Sequence, residues 1–117
     1  LTTLEDWGAV AGWRTAGVSV QLPAPEDPNT KFTLFVITIS GEIYTGWLNE
    51  QLERSGRPGE ISAELVGDIC NLFPMVERHH LWVGSIKPNL EMKEVIKEVD
   101  QFLDIMQRCI QKIRASS

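Results

Sequence analysis

Apolar and polar positions follow a helical period through the last third of the chain. From Met92 the apolar residues run Met92, Ile96, Val99, Leu103, Met106, Ile110 and Ile113 in steps of four and three, with Val95, Phe102 and Cys109 as a second row beside them. That spacing predicts one amphipathic helix over 91–114, with Lys93, Glu94, Lys97, Glu98, Gln101, Arg108 and Gln111 on the wet side and Ile105 among them. A straight helix of that length measures about 36 Å at 1.5 Å per residue. The second row makes the stripe wider than a coiled-coil seam, so the helix is expected to lie as a lid on a sheet. Only its last two turns, or Ile105, would be left for a second copy.

Other periods rule the earlier segments. Leu4, Trp7, Val10 and Ala11 share a helical face behind a capping Thr3, which predicts a first helix over 3–13 closed by Gly17. Val18, Val20 and Leu22 alternate with Ser19 and Gln21 as in a half-buried edge strand, and Pro23, Pro25 and Pro28 should then open a loop to Thr30. The stretch 32–39 is apolar on both faces, the mark of a central covered strand. Ser40-Gly41 turns it into a partner strand over 42–49. After an exposed loop over 55–59, Ser62 caps a helix whose stripe is Leu65, Ile69, Leu72, Phe73 and Val76, and Pro74 ends it. A fourth strand is expected over 81–87, with Pro88-Asn89 leading into the terminal helix. The order α-β-β-β-α-β-α describes an α+β two-layer sandwich, a mainly antiparallel sheet of about four strands packed by a long C-terminal helix. No repeat or linker divides it, so 1–117 reads as a single domain.

Composition narrows the partners. Hydrophobic residues are 43% and charged residues 23%, a globular balance rather than that of a disordered chain. A formal charge of -5 disfavours nucleic acid and suits a basic protein partner. No apolar run approaches the roughly 20 residues of a membrane span. The opening Leu1-Thr2-Thr3-Leu4-Glu5 lacks the basic start and apolar core of a signal peptide, and Cys70 and Cys109 sit on apolar helix faces as reduced thiols. The expected setting is cytoplasmic, without membrane association.

Candidate chemistry is sparse. His79 and His80, with Glu77 nearby, are the one conceivable metal or acid–base group, yet adjacent strand residues face opposite ways and zinc wants three or four ligands. The sole acid-x-Lys triplet, Glu91-Met92-Lys93, opens a helix rather than a strand, against a nuclease reading. No Gly-x-Ser-x-Gly elbow or phosphate-binding glycine loop occurs. No catalytic residue, metal or cofactor is therefore assigned. Trp13, Trp47 and Trp82, with Arg54 and Arg57, are the residue types that anchor protein interfaces. Phe102, Met106, Ile110 and Ile113 are the packing or dimer residues of the terminal helix.

In size, acidity and element order the chain resembles the small α/β chaperones that serve secreted bacterial effectors, though it lacks their additional strand after the second helix. Small toxin-neutralising immunity proteins are a second parallel. The resemblance implies a binding adaptor. The expectation is a small acidic non-enzymatic protein- or peptide-binding domain, a homodimer, that accepts an added strand at the 18–22 edge. The alternatives are a small metal-dependent hydrolase using His79 or His80 with nearby carboxylates, and an apolar-ligand binder with Phe102 and Met106 lining a cavity under the terminal helix.

Overall fold

The computed structural model describes residues 2–14 and 17–116. In chain order it contains α1 (Thr2–Asp6), β1 (Val10–Arg14), β2 (Gly17–Ala24), β3 (Asp27–Thr38), β4 (Glu42–Tyr44), α2 (Leu48–Arg54), α3 (Glu60–Leu72), β5 (Glu77–Arg78), β6 (Ile86–Lys87), β7 (Leu90–Glu91), α4 (Met92–Lys97) and α5 (Val99–Ala115). Among the described residues five strands form one sheet in the order β1-β2-β3-β4-β7, and β5 pairs with β6 in a second. Every pairing is antiparallel. With its helices packed on the sheet and a long one at the C-terminus, the fold is the expected α+β two-layer arrangement.

The first element is shorter than its apolar spacing predicts. Gly8, at φ +97°, ends α1, and 10–14 extend into a strand. Ala11 and Trp13, two apart, share one face of that strand with Val10 on the other, and Gly12 between them favours no helix. The sheet edge is therefore β1. The 18–22 segment, expected at the edge, is internal and pairs on both sides. Gly17 opens it at φ +143°, where a Cβ would lie 2.0 Å from the Ile37 carbonyl oxygen. The prolines do not open a long loop either. β2 runs through Pro23, beside a register shift that tolerates the missing N–H, and only Pro25-Glu26 separates it from β3.

β3 is the central strand, as its apolar run predicts, but a bulge accounts for part of that run. Val20 pairs with Phe35 and Gln21 with Thr33, so one residue of β3 is extra. Phe32 and Phe35, three apart, thereby join the core together with Leu34. Thr33 donates its N–H to Gln51 Oε1 at 2.5 Å, and its hydroxyl oxygen accepts Gln51 Nε2 at 3.0 Å. This seats α2 on the bulge. The Ser40-Gly41 hairpin forms as expected, but β4 stops at Tyr44 rather than Asn49, because Leu48 and Leu52, one helical turn apart, are both buried.

α3 starts at Glu60 with Gly59 before it, so Ser62 is a buried residue inside the helix and not its cap. It ends at Phe73 before Pro74, as expected. The fourth strand expected over 81–87 is instead a loop over 79–85 between the two-residue strands β5 and β6. The terminal helix breaks at Glu98 (φ -125°, ψ 34°), giving α4 and α5. The break changes the phase of the stripe. Ile105, assigned to the wet side, is buried, while Ile96 and Val99 of the predicted row are 65% and 43% exposed. Phe102 packs edge-on against Phe35 (5.6 Å between ring centres), and Met106, Ile110 and Ile113 are fully enclosed. The last two turns of α5 thus face this chain's own core, and a dimer has no access to Ile110 or Ile113.

Candidate functional site

Large apolar side chains are exposed at several places, including Ile39, Met75 and Ile96, and two of these places carry tryptophans singled out from sequence. The first is the sheet edge. Trp13, Val18, Ile37, Ile43 and Leu90 stand opposite one another in register and make an apolar row across all five strands. Leu90 and Ile43 are buried, Ile37 and Val18 half-buried, and Trp13 at the end is 84% exposed. Beside it Ala11, Gly12, Trp13 and Val18 line a shallow hollow of about 140 Å³. Among the described residues no strand pairs with the outer edge of β1.

The second region is the 79–85 loop, where Leu81, Trp82 and Val83 are 70%, 62% and 67% exposed. Three consecutive large apolar side chains in solvent demand a reason, because each loses hydrophobic free energy there. The backbone beneath them is well tied. His79 donates its N–H to the Ser85 carbonyl at 2.9 Å, Ser85 donates to the Trp82 carbonyl at 3.2 Å, and the Thr45 hydroxyl donates to the Gly84 carbonyl at 3.0 Å. Gly84 lies so close to α3 that a Cβ on it would be 2.5 Å from Ser62 Oγ. His79 stacks with His80 (5.5 Å) and with Trp82 (4.7 Å), and its Nδ1 accepts the Leu81 N–H at 3.1 Å. The Thr45–Gly84 bond also brings this loop beside the segment carrying Trp47, which is half-exposed and meets Tyr44 edge-on at 6.4 Å.

The residues singled out from sequence therefore separate. Trp47 and Trp82 lie on adjoining segments, whereas Trp13 stands on the far edge strand. Arg54 is exposed, paired with Glu50 one turn earlier, and lines a polar recess of about 510 Å³ with Glu26, Asp27 and Lys31. Both signs of charge line that recess. Arg57, placed by sequence in an exposed loop, is 5% exposed. Its guanidinium pairs with Glu26 at 2.8 Å, lies 4.9 Å from the Phe32 ring centre, and donates through Nε to the Ile113 carbonyl at 3.4 Å. It clasps the β2–β3 turn to the end of α5 and has no free face for a partner. The hydrogen bond from Arg57 holds the Glu26 carboxyl below its ordinary value.

His79 and His80 face each other as stacked rings, and Glu77 lies across from Lys87 on the small ladder. Among the described residues no three His, Cys, Asp or Glu side chains gather closely enough to hold a metal ion. Phe102 meets both Phe35 and Phe73 (6.4 Å), so aromatic rings occupy the space under α5 where a ligand was considered. Burial pushes the Cys109 thiol up to about 12, and burial also raises that of Cys70. Both thiols are unpaired. Sequence reasoning missed Leu81 and Val83 as surface residues. Flanking His79-His80 and Gly84, rather than the alternation around Trp82, was the available signal of a loop. Comparison with protein-family models, with curated proteins and with solved structures returned no match.

Proposed function

We propose that this chain is a non-enzymatic protein-binding domain, an adaptor whose recognition surface is the 79–85 loop together with Trp47. The observation that carries the reading is the run Leu81-Trp82-Val83, largely exposed on a loop whose backbone is bonded to the Thr45 hydroxyl just past β4 and seated on α3. Stacking of Trp82 on His79 restrains the indole before any partner arrives, so less conformational entropy is lost on binding. Tryptophan is also the side chain most enriched among residues that dominate interface energetics. The overall charge of -5 suits a partner whose contact surface is apolar at the centre and basic at the rim. Unpaired thiols at Cys70 and Cys109 suit a reducing compartment such as the cytoplasm.

The test is a quantitative pull-down from the native host with mass spectrometry, comparing the wild-type chain with Trp82→Ala and with Leu81→Ser/Val83→Ser. One partner should be captured by the wild type and lost from both variants. With that partner purified, Trp82→Ala should weaken binding about 30-fold, the effect of an anchor worth about 2 kcal/mol. Equal capture by all three chains would refute this surface as the recognition site.

A further inference from the structure

We propose that the chain also pairs with a second copy of itself along β1, about a two-fold axis through Gly12, so that two sheets join into one. The contact is separate from the 79–85 loop. β1 lacks three of the devices that protect strand edges, namely proline, lysine and a bulge. Its five residues, Val-Ala-Gly-Trp-Arg, contain no proline or lysine and keep an unbroken register with β2. The opposite edge differs. β7 has only two residues, follows Pro88, and leads straight into α4.

Symmetry then restricts the pairing. Two copies of one strand related by a two-fold axis perpendicular to the sheet meet antiparallel, the sense of every pairing already in this fold. Keeping both core faces on the same side requires a residue on the axis, since a slip of one position exchanges the faces. Of the positions available, only Gly12 matches all five residues of β1. It sets Val10 against Arg14, Ala11 against Trp13, and Gly12 against itself. Each consequence is favourable. Trp13 gains the smallest side chain of its face as its neighbour, next to the hollow lined by Ala11, Gly12 and Val18. The axis passes through a residue with no side chain.

The apolar pattern also continues across the junction. Within one chain the row ends at exposed Trp13, and across the axis it runs on through Ala11, Val20 and Phe35 of the second copy. A five-residue edge and two indoles cover less than the about 1,200 Å² of standard interfaces. The dimer is therefore reversible, with dissociation in a range of about 10–100 μM.

Sedimentation equilibrium between about 1 and 500 μM, bracketing that range, should show the mass rising from 13.2 kDa toward twice that value. Gly12 accepts a side chain, since a Cβ there meets nothing within 4 Å. Gly12→Lys and Gly12→Glu should each stay monomeric, because like charges then face each other across the axis. Mixed in equal amounts, the two should recover a dimer. Trp13→Ser should weaken self-association at least tenfold. Circular dichroism and melting curves establish that each variant is folded. A wild type that stays at monomer mass throughout overturns the proposal. So does dimerisation of Gly12→Lys alone, or failure of the folded Lys and Glu variants to pair. None of these outcomes bears on partner capture by the Trp82 loop, which is read separately.

Discussion

Replacing Arg57 tests whether this residue holds the fold or binds a partner. Its side chain is 3% exposed, between a half-exposed Glu26 and the Phe32 ring. Truncation to alanine removes an aliphatic stem worth about 2 kcal/mol at about 0.8 per buried methylene. It also removes a cation–π contact of about 1–2 kcal/mol in a desolvated setting. The hydrogen bond to the Ile113 carbonyl, long at 3.4 Å, adds little. Removing the arginine also relieves the cost of keeping a guanidinium out of water, which offsets part of the loss. Arg57→Ala should therefore cost about 2–3 kcal/mol net and lower the melting temperature by roughly 10 °C. Arg57→Met, which keeps the stem, should cost about half as much. Urea unfolding followed by circular dichroism gives both values. The Glu26 contact carries its own signature. Its folded pKa is depressed, so its stabilisation is present above the ordinary carboxylate pKa and is lost as pH falls through the folded value. The stability gap between wild type and Glu26→Gln should close on acidification through that window. A cost below about 0.5 kcal/mol for Arg57→Ala, the usual range for a surface change, would refute the clasp. So would an equal cost for the methionine variant.

Two further outcomes follow from the packing. In the folded chain at pH 8, iodoacetamide followed by mass spectrometry should place the first adduct on partly buried Cys70, with Cys109 unlabelled until denaturant is added, because its thiol is enclosed and pushed up to about 12. Gly17→Ala should destabilise by about 2–4 kcal/mol in urea titrations, since a Cβ meets the Ile37 carbonyl and the positive φ adds strain, while the neighbouring Gly12→Ala should change stability by less than about 1 kcal/mol.

The errors of sequence reasoning about this fold have common causes. The helical spacing of Leu4, Trp7, Val10 and Ala11 runs on into 10–14, where pairing with β2 overrode it. The alternation in 18–22 correctly marked a strand, but its place in the sheet depended on where another segment came to lie. Arg57 sits in a Gly- and Pro-rich stretch that looks solvated, and only the approach of Phe32 and Ile113 encloses it. On the candidate site, Trp13, Trp47 and Trp82 were legible as aromatic residues without a secure core position. Which of them share a surface was not legible, because the Thr45–Gly84 bond joins segments 39 residues apart.

By itself the sequence determined what periodicity and local stereochemistry dictate: the apolar central strand, the Ser40-Gly41 hairpin, the helix stopped by Pro74 and the amphipathic C-terminal third. These follow from side-chain spacing along one stretch of backbone, which no distant contact needs to supply. Tertiary structure decided the order of strands, the bulge that gathers Phe32, Leu34 and Phe35 on one core, and the break at Glu98 that buries Ile105 while leaving Ile96 in solvent. It also decided which apolar side chains have no cover. Exposure is a property of neighbouring elements, and so the Leu81-Trp82-Val83 loop and the β1 edge emerge only once the chain is packed.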